Sequence, residues 1–237
     1  MVSMVHSSRI VVDDCMGVKL GENVLVVTDP LRIRIAEAIA EAAREIGART
    51  TLVSMPVGKR HGEEPPEIVA HAMKLSDVVI APTTYSLTHT QARRLATEAG
   101  ARVATMPNIT EVMMHRGAML ADYSKVRELT KKVATALDKA SDVEIITRAG
   151  TNLKFSIRGR KAHPDTGIFH KPGDFGNLPA GEAFIAPVEG TGEGFVVVDG
   201  SMLDTAVGRI DITIKKGRAT EISGRLAKKL TKILDEA

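Results

Sequence analysis

The sequence predicts an α/β fold: an N-terminal doubly wound, mostly parallel sheet followed by a β-rich α+β domain. Three observations carry this expectation. Through the first 140 residues, short continuous apolar runs alternate with amphipathic stretches of helical period, the pattern of βαβ units. After Ser141 the pattern changes to short strand-like runs, several of them separated by glycine turns. The composition, 43% hydrophobic and 26% charged over 237 residues, is that of a globular chain and excludes disorder or low complexity.

Asn23–Thr28 (NVLVVT) reads as the first strand, buried on both faces because nothing polar alternates within it. Asp29-Pro30 is expected to open the next helix, with Asp29 as N-cap and Ile33, Ala36, Ile39, Ala40 and Ala43 on one apolar face. Gly47 closes it. A strand at Thr50–Met55, a helix at Pro66–Leu75, a strand at Asp77–Ala81, a helix at Thr88–Ala99 and a strand at Arg102–Thr105 follow. Thr110–Lys139 turns helical, with Val126, Leu129, Val133, Ala136 and Leu137 as its apolar stripe. Beyond it, strands are expected at Val143–Thr147, Leu153–Ile157, Phe195–Val198, Arg209–Ile214 and Arg218–Ile222, then a basic helix at Arg225–Leu234. The expected domains are 1–140 and 141–237.

Cys15 is the only thiol, so the chain forms no internal disulfide, and a reducing, cytoplasmic setting is expected. No apolar run approaches the ~18–20 residues of a membrane span, and the N-terminus lacks the pattern of a signal peptide. The net charge of +3 is small, and with no Trp, two Tyr and five Phe there is little to stack on bases. Neither nucleic acid nor a membrane is an expected partner. The last stretch, Thr205–Ala237, carries eight bases and four acids, which a solvated helix face explains.

The most unusual segment runs from His163 to Asp204. It holds seven acids (Asp165, Asp174, Glu182, Glu189, Glu193, Asp199 and Asp204) against the single base Lys171, with eight glycines and four prolines. Dense carboxylates on such a segment suit a hard divalent cation, although acids and glycines also populate ordinary solvated turns. Within it, His163 and Asp165 stand at a spacing that can converge on one metal, and His170 is a further imidazole. Asn177-Leu-Pro-Ala-Gly-Glu182 is more constrained: Pro179 restricts the backbone and Gly181 permits a sharp turn or a close approach just before the carboxylate.

The early loops contain no GxGxxG and no Walker A lysine loop, so no nucleotide site is announced. Thr83-Thr84-Tyr85-Ser86 follows the third strand, where such sheets form ligand crevices. Its hydroxyls suit either a ligand or a cap on the next helix. Ser86 and His89 lack a third member for a nucleophilic triad, and His115 beside Met113 and Met114 reads as a packed helix residue.

Four passages resemble the M29 family of metal-dependent aminopeptidases, the aminopeptidase T and S group with its leucyl-aminopeptidase-like branch. They are CMGVKLGENVLVVTD (Cys15–Asp29), SLTHTQARRLATEAGARVATMPNIT (Ser86–Thr110), the Asp122-Tyr123 pair, and GDFGNLPAGEAFIAPVEGTGEGFVVVDGS (Gly173–Ser201). The NLPxGE core of the last is the family's hallmark. The resemblance implies that Glu182 ligates a metal, that cobalt or zinc ions serve as cofactors, and that a homodimer hydrolyses N-terminal residues from peptides. It places the family's other ligands, a second Glu, a His with a nearby Tyr and a His-x-Asp, after the segment matching Arg209–Leu230, where this sequence has no His or Tyr. His163 and Asp165 precede the Glu182 motif and are not that pair.

Three functional readings follow. The first is a metalloaminopeptidase using a metal-activated water. The second is a dihydroxypyridine ring-cleaving dioxygenase with a single non-haem iron, from the same superfamily by resemblance. The third is a non-catalytic protein that binds a ligand or partner and carries a vestigial metal site.

Overall fold

The computed structural model describes residues 4–202, 205–206 and 208–235; Asp204 of the acidic segment lies outside them. The chain opens with α1 (Val5–Arg9), which widens into π-helical turns over Ile10–Cys15, and enters β1 (Asn23–Thr28). There follow α2 (Ile33–Glu45), β2 (Arg49–Ser54), α3 (Glu67–Lys74), β3 (Val78–Ala81), α4 (Gln91–Glu98), β4 (Arg102–Thr105) and α5 (Glu111–His115). A 3-10 turn at Ala118–Leu120 leads into α6 (Tyr123–Lys139). Strands then dominate: β5 (Asp142–Ile146), β6 (Asn152–Ser156), β7 (His163–Asp165), β8 (Phe175–Asn177), β9 (Glu182–Phe184) and β10 (Glu193–Val198). The short β11 (Ser201–Met202) and β12 (Thr205–Ala206) precede β13 (Ile210–Lys215), β14 (Arg218–Gly224) and the closing helix α7 (Ala227–Asp235).

By packing, the chain forms two units. The first comprises the residues up to Lys131 together with Pro164–Glu182; the second comprises Lys132–His163 and the residues from Ala183 onward. The division is thus interleaved, where the sequence suggested one cut near Ala140. The reason is β8: it returns to the first unit and pairs parallel with β4, matching Val103 to Phe175 and Thr105 to Asn177. A long-range pairing of this kind leaves no local periodic signal.

The first unit is the expected doubly wound sheet, five parallel strands in the order β2-β1-β3-β4-β8. Its central strands are buried on both faces. Val24 and Val26 join one apolar layer with Ile35 and Ile39 of α2, while Leu25 and Val27 join the opposite layer with Val69 and Met73 of α3 and Ala96 of α4. Side chains alternate across a strand, so an uninterrupted apolar run is what a sheet covered on both sides requires. The turns ending in Cys15 belong to the first layer: Val11, Val12, Cys15 and Met16 are fully buried there.

Two helix expectations are corrected. The first turn of α2 begins at Ile33, and Asp29 is not its cap; residues 30–32 form a turn first. In α6, Leu129 and Val133 are exposed, and the buried face carries Tyr123, Thr130 and Ala134. The helix is rotated about its axis because Tyr123, at its first position, is buried in the core.

The second unit is built on a five-stranded antiparallel sheet in the order β14-β13-β10-β6-β5. Ile210 and Ile212 of β13 pack with Leu230 of α7, the one residue that this helix buries; Ile233, Leu234 and the lysines are exposed. At Gly194 in β10, φ is +132° and a Cβ would stand 2.1 Å from the Asn152 carbonyl oxygen. Only glycine allows the strands to meet there.

Candidate functional site

The NLPAGE segment is held by its first two residues and releases its last. The Asn177 side-chain oxygen accepts hydrogen bonds from the Thr88 hydroxyl at 2.8 Å and the Thr105 hydroxyl at 2.7 Å. Both threonines are buried, and the two hydroxyls lie 2.7 Å apart. Leu178 donates its N–H to the Thr105 carbonyl and buries its side chain in the core; the Leu178–Pro179 peptide is cis. Gly181, at φ +127°, passes so close to α6 that a Cβ would lie 3.0 Å from Val126 Cγ1, and its N–H donates to the Asp165 carbonyl. Glu182 then emerges exposed, its carboxylate without a hydrogen bond or ion pair among the described residues. The hydroxyl pair that anchors Asn177 went unread in the sequence, since its members lie 72 or more residues away from it.

Of the other candidates, Asp165 is tied through its carbonyl to the residue before Glu182, but no three His, Cys, Asp or Glu side chains among the described residues converge there. The His163 ring packs against Phe184 with centroids 5.0 Å apart, and His170 Nε2 lies 2.9 Å from the Asp14 carbonyl oxygen. Asp174 accepts the Lys171 N–H, Glu193 accepts the Lys216 N–H, and Glu189 pairs with Arg160. Asp174 and Glu193 are thus spent on backbone N–H groups and Glu189 on an ion pair. Asp122 caps α6 by accepting from the Ser124 and Lys125 backbone N–H groups, while Tyr123 beside it is buried. Burial chiefly raises the Tyr123 phenol above its ordinary range. His89 is exposed and the Ser86 hydroxyl donates to Thr88, so no nucleophilic triad forms. His115 is half-buried on α5.

A second concave feature lies at the carboxyl ends of the parallel strands. The strand order reverses between β1 and β3, the position where open α/β sheets form ligand crevices. There Asp29, which is 1% exposed, bridges the two strands: Oδ2 accepts the Thr84 N–H at 2.6 Å, and Oδ1 accepts the Thr84 hydroxyl and the Leu31 N–H at 3.0 Å each. A crevice of about 260 Å³ opens beside it, lined by Thr83, Tyr85 and Ser86 after β3 and by the long loop between β2 and α3. Capping α4 falls to Thr90, whose hydroxyl oxygen accepts the Arg93 N–H, and to Glu64, whose carboxylate accepts the Gln91 and Ala92 N–H groups. The hydroxyls of Thr83 to Ser86 therefore do not cap the helix.

With this geometry in hand, the family model NicX, 2,5-dihydroxypyridine 5,6-dioxygenase, matches residues 4–236. The chain belongs to the NicX family. Among solved structures, it is similar to the 2,5-dihydroxypyridine dioxygenase from Pseudomonas putida KT2440, with a TM-score of 0.79 and 22% identity over 98% of this chain and 72% of that one. It is also similar to wild-type AmpT from Thermus thermophilus, with a TM-score of 0.69 and 17% identity over 99% of this chain and 74% of that one. At these identities the likeness is one of fold. No curated protein matches the chain by sequence. No helix among the described residues is long and apolar enough to cross a membrane.

The resemblance read from the sequence motifs implies a bound metal. The residues described for this NicX-family chain do not by themselves complete a centre: nowhere among them do three His, Cys, Asp or Glu side chains come together. Glu182 offers a free carboxylate, and one carboxylate is not a centre.

Proposed function

We propose that the protein serves ring-opening oxygenation of a dihydroxylated pyridine, with Glu182 as one carboxylate offered to a divalent metal. The observation that supports this reading is the NicX family match along residues 4–236, against an M29 likeness that extends to fold alone. In a 5,6-dioxygenation both atoms of dioxygen enter the product as the C5–C6 bond breaks, so no external reductant is consumed. The exposed Glu182 carboxylate makes no competing contact among the described residues and is open to a cation. The remaining ligands are not among the groups that these residues assemble.

The test is direct. Protein loaded anaerobically with ferrous iron is mixed with 2,5-dihydroxypyridine and air, and dioxygen uptake is followed beside loss of the pyridine absorbance. Equimolar consumption, with bound iron reduced in Glu182→Ala, is the expected result. Release of amino acid from leucine p-nitroanilide with cobalt or zinc would instead establish the peptidase reading. Neither activity, together with no metal retained after dialysis, would leave the non-catalytic reading.

A further inference from the structure

We propose that the crevice at the β1/β3 switch point binds a free α-amino acid with an apolar side chain, independently of any metal chemistry at Glu182. The loop that builds one wall, residues 55–66, is about twice the ~2–6 residues usual between a strand and a helix in such units. It is pinned rather than loose. The Gly62 N–H donates to the Ser86 carbonyl at 2.9 Å, the Ser86 N–H donates to His61 Nδ1 at 3.0 Å, and the His61 ring meets Tyr85 edge-on at 5.3 Å. The loop is thereby held across the strand ends, and a long, tethered loop of this sort is usually functional.

The polar groups define what the crevice accepts. In nucleotide-binding sheets, backbone N–H groups after the first strand receive a phosphate. Here the Leu31 N–H after the first strand and the Thr84 N–H opposite are both taken by the buried Asp29 carboxylate, so a phosphate placed there would meet negative charge in place of those two donors. Glu64 is likewise spent on the start of α4. The acidic side of the lining is formed by Asp29, which also holds Leu31 and Thr84, and by Glu63, whose Oε2 accepts the Lys59 N–H; on the other side stands the Arg60 guanidinium, which has no hydrogen bond or ion pair among the described residues. The Tyr85 hydroxyl is also without a partner.

Opposite charges lining one small space fit a zwitterion, its carboxylate on Arg60 and Tyr85 and its ammonium toward Asp29 and Glu63. Met55, Val57 and Leu87 offer the apolar side of the same crevice. Its volume of about 260 Å³ is just below the ~300–1,000 Å³ of sites for drug-sized molecules, which suits a ligand of amino-acid size.

The experiment uses the full chain in EDTA, so that failure of the oxygenase reading leaves it untouched. Thermal unfolding and calorimetry are recorded with L-leucine, with 4-methylpentanoate, which lacks the ammonium, with 3-methylbutylamine, which lacks the carboxylate, and with ADP. L-Leucine at ten times its Kd is expected to raise Tm by roughly 3–6 °C, while the other three bind at least tenfold more weakly. Arg60→Ala, a change at an exposed side chain, should weaken L-leucine at least tenfold while keeping the unliganded Tm; Lys59→Ala should not weaken it. The proposal is overturned if L-leucine gives neither heat nor a shift, if either single-charge analogue matches it, if ADP binds more tightly, or if Arg60→Ala binds it unchanged.

Discussion

Asp29 Oδ2 accepts the backbone N–H of Thr84 at 2.6 Å, joining the ends of two parallel strands that are 55 residues apart in sequence. The same carboxylate holds the Leu31 N–H and the Thr84 hydroxyl. It is therefore a structural clamp on the switch point and the floor of the crevice. Replacing it with alanine strands two part-buried backbone donors, and each donor left without a partner costs about 1–3 kcal/mol. Asp29→Ala should lower stability by about 2–4 kcal/mol in urea unfolding, and Asp29→Asn, which keeps one acceptor oxygen, by less. Equal stability of Asp29→Ala and wild type would remove the clamp from this account.

The Arg93 guanidinium carbon lies 3.8 Å from the centroid of the Phe175 ring, while its Nε donates to the Thr88 carbonyl at 2.7 Å. This contact ties α4 to β8, the strand that the chain returns to the first sheet. A partly desolvated cation over a ring contributes ~0.5–2 kcal/mol. Phe175→Leu, which preserves most of the apolar cover, should cost roughly 1 kcal/mol. That cost should shrink in an Arg93→Gln background, and a double-mutant cycle in urea measures the coupling. Additive effects would mean that the ring acts through burial alone.

The two pairs also mark how far sequence reasoning reaches. β1 and α2 were readable because their evidence is local: an apolar run for a strand covered on both sides, and a repeating apolar face for a helix. Asp29 was misread as a cap because Asp-Pro before a helix looks the same whichever distant N–H the carboxylate finds. β8 has three residues, two of them Phe and Asn around a glycine, and only its parallel partner β4 makes it a strand. The NLPAGE motif announced a constrained turn, and the structure supplies the constraint in the Asn177 anchor and the close pass of Gly181 over Val126. Whether Glu182 would meet other ligands was beyond local pattern, since convergence of side chains belongs to tertiary structure.

Cys15 sits fully buried in the first apolar layer, and burial first, with the neighbouring Asp14 second, pushes its thiol well above the ordinary range. The nucleophile in thiol chemistry is the thiolate, so both access and ionisation are withheld. Native protein at pH 8 should leave Ellman's reagent unreacted over hours, with one equivalent consumed at once in denaturing urea. Rapid reaction of the native chain would show that α1 and the turns after it open readily.

Asp122 is the one carboxylate of the quoted motifs with a marked shift: the Ser124 hydroxyl first, and the Lys125 N–H next, hold its carboxyl down to about 2. In the unfolded chain an aspartate titrates near ~3.9. Because the folded value is the lower one, the unfolded state binds the proton first as pH falls. The cap's contribution to stability is therefore complete above about pH 4–5 and is lost progressively as the pH drops toward 2. Carboxyl-carbon NMR should place the Asp122 midpoint near 2. Asp122→Ala should flatten the acid limb of the stability profile between about pH 4 and 2, while leaving its slope near neutrality unchanged. A midpoint close to the ordinary aspartate value would mean that the α6 cap is open in solution.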